Sequence, residues 1–153
     1  MRAVCDTSTL IRLNRGGTIH CLGRIFEKVL IPEGVQEECR TPETERILRE
    51  GFFEIKGISR LLPITGLHKG EHEAISLAVE LDIETVITDD EKAFRKAKEQ
   101  GLKPVNSYYI LLLAKRKGYI SSVKTVLEAM ISKGEGVQEE IYRDVLEAAG
   151  EEG

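Results

Sequence analysis

Short apolar runs alternate with amphipathic stretches along most of the chain. Arg2–Cys5 is apolar, starts almost at the first residue and is closed by Asp6, Thr7 and Ser8. It predicts a buried strand. Residues 9–13 predict a short helix carrying Arg12, and the glycines of Asn14-Arg15-Gly16-Gly17 a turn. Ile19, Leu22 and Phe26 are spaced three and four apart and predict a helix over 18–26. A second strand over 28–31 is stopped by Pro32, where a helix is expected to begin, with proline in a tolerated first-turn place. Val35 and Cys39 share one face of it. That helix pauses at Thr41-Pro42, because the residue before proline avoids helical angles, and resumes over 43–50. Residues 52–55 read as a short strand, 57–63 as irregular and 66–69 as a loop.

The second half is more regular. Ala74, Ile75, Ala78 and Leu81 form a helical stripe, and the β-branched run 84–88 is a strand. Residues 91–100 form a helix with Ala93, Phe94 and Ala97 inward, ended by Gly101. The strand 102–105 contains Pro104, which places it at a sheet edge or end. Helices over 107–117, 121–133 and 137–149 follow, the first two ended by Gly118 and Gly134, and 150–153 is a polar tail. Short strands alternating with helices predict an α/β fold with a mostly parallel sheet. Ligands of such sheets sit outside the carboxyl ends of the strands. Asp6 follows the first strand directly, and Asp89 and Asp90 follow the strand 84–88. Neighbouring parallel strands would bring them to one edge.

Composition narrows the classes. The 153 residues suit a single domain, and a 41% hydrophobic share can fill its core. No apolar run reaches the ~20 residues of a membrane span, and Asp6 interrupts any signal-peptide core. A cytoplasmic location without membrane contact is therefore expected. Cys5, Cys21 and Cys39 are odd in number and widely spaced, which argues against a disulfide framework or a zinc site and for small core residues. The net charge of −4 is unusual for a general nucleic-acid binder. Either nucleic acid is not the partner, or clustered acids with bound cations form a nuclease site.

The acids carry the candidate chemistry, and each also has an ordinary reading. Asp6 can cap the helix after it. Thr88 and Glu91 match a capping box, which leaves two adjacent aspartates, Asp89 and Asp90, repelling one another at a strand end. Glu71 lies three, four and seven residues before Ala74, Ile75 and Ala78, so a helix points it along the core stripe. Glu73 is more lateral and reads equally as a ligand or a surface acid. Glu38, three residues after Val35, shares the inward side of its helix, although the whole region is rich in Glu. Carboxylates converging at strand ends need a counter-charge, and a hard cation with oxygen ligands, Mg²⁺ or Mn²⁺, suits them. Two such ions support phosphodiester hydrolysis. His20, His68 and His72 have no metal-ligand spacing, and no P-loop, dinucleotide or nucleophile-elbow motif is present.

The ordered set resembles the PIN-domain nucleases: Asp6-Thr7-Ser8 after the first strand, IPEGVQEE with Glu38, GEHEA with Glu71 and Glu73, and VITDD with Asp89 and Asp90. It is more closely similar to a prokaryotic PIN subgroup with a G-E-x-E-A-I helix, an acid pair after the next strand, and a leucine-rich helix before a K-[RK]-x-G turn. Those features here are Gly70 to Ile75, Asp89-Asp90, and Ile110 to Gly118. The resemblance implies a three-layer α/β/α fold, with residues 1–149 as one PIN-like domain and 150–153 as its tail. It implies an acidic catalytic site of Asp6, Glu38, Glu71 and Asp90, with Asp89 and Glu73 as further metal ligands and Ser8 and Thr88 as supporting polar residues. It also implies Mg²⁺ or Mn²⁺ as cofactor, RNA as substrate, a cognate antitoxin as partner and a homodimer, as in VapC-like toxins. The departure is Glu71, where classical toxins carry Asp.

An RNA path needs cations. Lys92, Arg95, Lys96, Lys98 and Lys103 follow the acid pair, and Lys115, Arg116 and Lys117 end the apolar helix; they read as a basic rim or as solvated faces. Two other functions stay open: a PIN fold kept as a non-catalytic binding module, and a phosphohydrolase with Asp6 as nucleophile. The second is disfavoured by Ser8, which stands where that chemistry wants another acid.

Overall fold

The computed structural model describes residues 1–34 and 41–152. Strands β1 (Arg2–Cys5), β2 (Lys28–Pro32), β3 (Phe53–Lys56), β4 (Thr85–Ile87) and β5 (Lys103–Val105) form one sheet of order β3-β2-β1-β4-β5, with every neighbouring pair parallel. The helices among the described residues are α1 (Thr7–Arg15), α2 (Ile19–Ile25), α3 (Pro42–Ile47), α4 (Lys69–Glu80), α5 (Glu91–Glu99), α6 (Ser107–Arg116), α7 (Val123–Ser132) and α8 (Glu139–Ala148).

The strand pleat decides the layers, because successive side chains leave opposite faces. Ala3 and Cys5 of β1, Val29 and Ile31 of β2 and Ile87 of β4 join one core with Leu10, Leu22, Leu111, Leu127 and Leu146 from α1, α2, α6, α7 and α8. Val4, Leu30 and Val86 face the other way, onto Ala74, Leu77 and Ala78 of α4. The helix α5 completes that second layer through Ala93 and Ala97, packed with Ile75. Each central strand is thus covered on both faces, which is why these runs read as apolar throughout. The result is a three-layer α/β/α fold.

Several boundaries depart from the sequence pattern. Pro32 is the last residue of β2, paired with Lys56, and the expected helical turn follows it directly, with Glu33 and Gly34 already helical. A proline at a strand end removes no ladder donor that the sheet requires. Thr41 caps α3, accepting from the Thr44 amide at 3.1 Å. The helix stops at Ile47, short of residue 50, because the Arg49 and Glu50 amides turn back to carbonyls three residues earlier. Pro104 lies in β5 at the sheet edge, as expected. The stops at Gly101, Gly118 and Gly134 have φ of 82°, 80° and 92°, the left-handed conformation that glycine adopts freely. Cys5 and Cys21 are buried free thiols; Cys39, Val35 and Glu38 lie outside the described residues.

The polar end of the chain is anchored. Glu151 accepts from the Val123 and Lys124 amides at 2.7 and 3.0 Å and pairs with Lys115 at 2.7 Å. It therefore clamps the start of α7 to the end of α6. Among the described residues no helix is long and apolar enough to cross a membrane.

Candidate active site

The strand order creates the site. The chain builds outward from β1 to β2 and β3, then returns to place β4 on the other side of β1. The crossovers leave β1 and β4 in opposite directions, and the crevice between their carboxyl ends is where such sheets bind ligands. Cys5 is in register with Ile87, and the Asp6 amide donates to the Ile87 carbonyl at 3.2 Å. Asp6 and the Thr88-Asp89-Asp90 run therefore leave the sheet side by side.

Asp6 is 2% exposed and caps α1, its Oδ1 accepting from the Thr9 amide at 2.9 Å. Burial pushes its carboxyl above the ordinary value; hydrogen bonds from the Thr88 and Thr9 side chains and the Thr9 amide pull the other way, and the charge of Asp89 pushes it up again. Glu71 is 8% exposed on the first turn of α4, its Oε1 accepting from the His68 amide at 3.1 Å. Burial raises its pKa against that hydrogen bond, and the charges of Asp90 and Asp6 raise it further. Asp90 caps α5, accepting from the Ala93 amide at 2.8 Å, while its own amide donates to Thr88 Oγ1 at 3.3 Å. The capping residue is thus Asp90, not Thr88, and Glu91 is exposed. The capping-box reading is corrected by two residues, because the helix starts at Glu91 rather than at Asp89. Asp6, Glu71 and Asp90 come from three elements, and Glu71 feels the other two as neighbouring negative charges.

The remaining acids are placed differently. Asp89 has both oxygens engaged: Oδ1 accepts from the Ser107 amide at 2.8 Å, and Oδ2 pairs with Arg12 Nε at 3.1 Å. Its amide donates to Thr9 Oγ1 at 3.0 Å. Arg12 also donates to the Tyr108 hydroxyl at 2.8 Å and the Gly136 carbonyl at 3.0 Å. One arginine thus neutralises the first aspartate of the pair and leaves the second to the site. Glu73 is buried like Glu71 rather than lateral. Its carboxylate lies against the backbone of Gly34, where any Cβ would collide with it, and Lys69 Nζ stands 4.0 Å away. Ser8 is exposed; the hydroxyls that reach the acids are those of Thr9 and Thr88. His72 uses its ring N–H on the Leu62 carbonyl.

Arg12, Thr9 and His68 went unrecognised as parts of this arrangement. The available signal was Arg12 itself, a cation between the apolar positions of a short helix whose neighbours are buried. Much of the basic rim is otherwise occupied: Lys96 pairs with Glu99, Lys103 with Glu84 and Lys115 with Glu151, at 3.7, 3.5 and 2.7 Å.

The donor chemistry of Asp6, Glu71 and Asp90 is all carboxylate oxygen, which fits a hard divalent cation. Among the described residues no three Asp, Glu, His or Cys side chains are drawn together tightly enough to form a finished ion cage. Asp6 and Glu71 are held in a low-dielectric setting that an added positive charge would relieve.

Comparison with curated proteins found no match. A comparison of structures found similarity to a PilT N-terminus domain protein from the hyperthermophilic archaeon Sulfolobus solfataricus, 20% identical, with a TM-score of 0.50, covering 91% of this chain and 98% of that one. That likeness concerns the fold. The family model described as DUF3368: PIN domain matches residues 2–151. With nearly the whole length matched, the chain belongs to the PIN-domain family.

Proposed function

We propose that this PIN domain is a metal-dependent endoribonuclease and the toxin component of a toxin–antitoxin pair. PIN domains are generally nucleases, which supports phosphodiester hydrolysis as the reaction class. The observation that carries the reading is the gathering of Asp6, Glu71 and Asp90 at the β1–β4 crevice, with Asp6 and Glu71 raised above ordinary carboxyl values by burial. Acids kept buried near one another cost stability, and a site that binds a cation is the economical reason to keep them.

In this reading Asp6, Glu71 and Asp90 hold Mg²⁺ or Mn²⁺. When bound, the ion supplies the positive charge that activates a water and stabilises the leaving oxygen. The chain's own part is orientation. The Thr9 amide fixes Asp6, the His68 amide fixes Glu71 and the Ala93 amide fixes Asp90. In each case an acceptor oxygen of the side chain is tied to backbone. Arg12 pairs with Asp89, whose charge still reaches Asp6, so Asp89 is the more weakly placed ligand candidate. Glu73 is an auxiliary acid and Thr88 the supporting hydroxyl; Glu38 keeps its proposed role without a structural account.

The test is cleavage of single-stranded RNA with added Mn²⁺ by the wild type and by Asp6→Asn, which keeps the cap acceptor and removes the charge. Loss of about 10³-fold or more in rate, several kcal/mol of barrier, is expected with the fold intact. Equal rates would refute the reading. The cognate antitoxin, the homodimer and the cytoplasmic setting extend it on family resemblance. Growth arrest on expression, relieved by co-expression of the adjacent gene, tests the pairing.

A further inference from the structure

Beside the acid cluster lies a cavity of about 240 Å³ lined by Thr88, Asp89, Asp90, Glu91, Phe94 and Asn106. Asp90 belongs to both, so the cavity is continuous with the acid cluster at that residue. The wall is chemically mixed. Phe94 stands one helical turn after Asp90 and is only partly buried, and Lys98 Nζ lies 5.0 Å from its ring centroid. Asn106 caps α6, its Oδ1 accepting from the Tyr109 amide at 2.9 Å. That bond fixes the orientation of the amide and leaves the NH₂ as a donor. Glu91 is exposed at the rim and can accept.

We infer that this cavity receives one unpaired RNA base next to the cleaved phosphodiester. The inference rests on the nuclease reading of the neighbouring acids. An aromatic ring, an amide donor and a carboxylate acceptor are the groups that hold an unstacked base: the π-face stacks, and the polar groups meet the base edge. The space is on the scale of a single base rather than a base pair. Lys98, over the Phe94 ring, is a cation beside the three acids of the wall and stands where it can balance a flanking phosphate. The site therefore demands single-stranded RNA, and Asn106 is the residue that discriminates among bases.

The test uses fluorescence-labelled oligo-A, oligo-C and oligo-U ribonucleotides with the full chain in EDTA at fixed salt, where binding is read by anisotropy without cleavage. Phe94→Leu keeps apolar volume and removes the stacking face, and about a tenfold loss of affinity is expected. Asn106→Asp keeps the cap acceptor and replaces the donor by an acceptor, so the order of preference among A, C and U should change. Its added charge weakens all three alike, and only the ratios count. Melting curves confirm that each variant is folded. If Phe94→Leu binds as tightly as wild type, or Asn106→Asp preserves the ratios, the inference is overturned. If the wild type binds none of the three, the inference is overturned as well, while cleavage with Mn²⁺ decides the nuclease reading separately.

Discussion

Glu151 and the trio Asp6, Glu71 and Asp90 show one functional group in two treatments. At Glu151, burial would raise the carboxyl, but the hydrogen bond from Lys115, the amides of Val123 and Lys124 and the Lys115 charge outweigh it and bring the pKa to about 2. At the β1–β4 crevice, burial wins for Asp6 and Glu71. Each acid there accepts from a backbone amide, at 2.9, 3.1 and 2.8 Å, and Asp6 and Glu71 are raised. Asp89, adjacent to Asp90 in sequence, is treated as Glu151 is, with Arg12 as its cation. An acid that ties elements together comes with its own counter-charge. Among the described residues no Lys or Arg pairs with Asp6, Glu71 or Asp90, and the proposed cation would supply that charge.

That contrast can be broken by mutation, and the largest effect is expected at Arg12. Arg12→Gln should destabilise by about 2–3 kcal/mol in chemical denaturation, since it leaves a half-buried Asp89 unpaired. The double variant with Asp89→Asn should recover most of the loss. Next comes the clamp: Glu151→Ala should cost about 2 kcal/mol, roughly 4–8 °C in Tm. In the wild type this contribution is complete above the ordinary value of 4.5 and is lost as pH falls toward about 2. Melting temperatures from pH 5 to 2 should show the variant's deficit shrinking in that window. A smaller effect is expected from metal. At tenfold excess over its Kd, Mn²⁺ should stabilise the wild type by about 1.4 kcal/mol, and Asp6→Asn or Glu71→Gln should abolish the shift. The same shift in all three proteins would remove the acids from the metal site.

The smallest effect has the opposite sign. Glu71→Gln keeps the acceptor for the His68 amide and removes a buried charge, so it should stabilise the metal-free protein near neutral pH, by less than any of the changes above. The raised folded pKa means that protonation favours the folded state. That favour is fully present below the ordinary value of 4.5 and is lost as pH rises through the folded value. The gain from the substitution should accordingly disappear below pH 4.5. A loss of stability at neutral pH instead would mean that the carboxylate is structural.

The layers were legible because strand pleat and helix period are local properties. The stripe of Ala74, Ile75 and Ala78 correctly turned Glu71 inward, and the strand ends correctly brought Asp6 to Asp89 and Asp90. What escaped depended on partners distant in sequence. Glu73 lies against Gly34, beyond the β1 crossover, whose missing side chain leaves room for the carboxylate. The two aspartates are unlike because Arg12, 77 residues before Asp89, selects one of them. Glu151 belongs to a stretch whose composition reads as tail, yet two amides at the start of α7 need an acceptor. Periodicity says which way a side chain faces, not what will be waiting there.

The return of the chain to β1 also sets an order in time. Asp6 is made first and Asp90 some eighty residues later, and the hydrogen bond from the Asp89 amide to Thr9 spans 80 positions. During synthesis the first strand has its β2 neighbour early, but the edge that faces β4 stays open until the second half of the chain has emerged. A partly made or truncated chain therefore carries isolated acids and no assembled cluster. The acid cluster is thus shared between an early and a late segment, and it comes together only once β4 has taken its place beside β1.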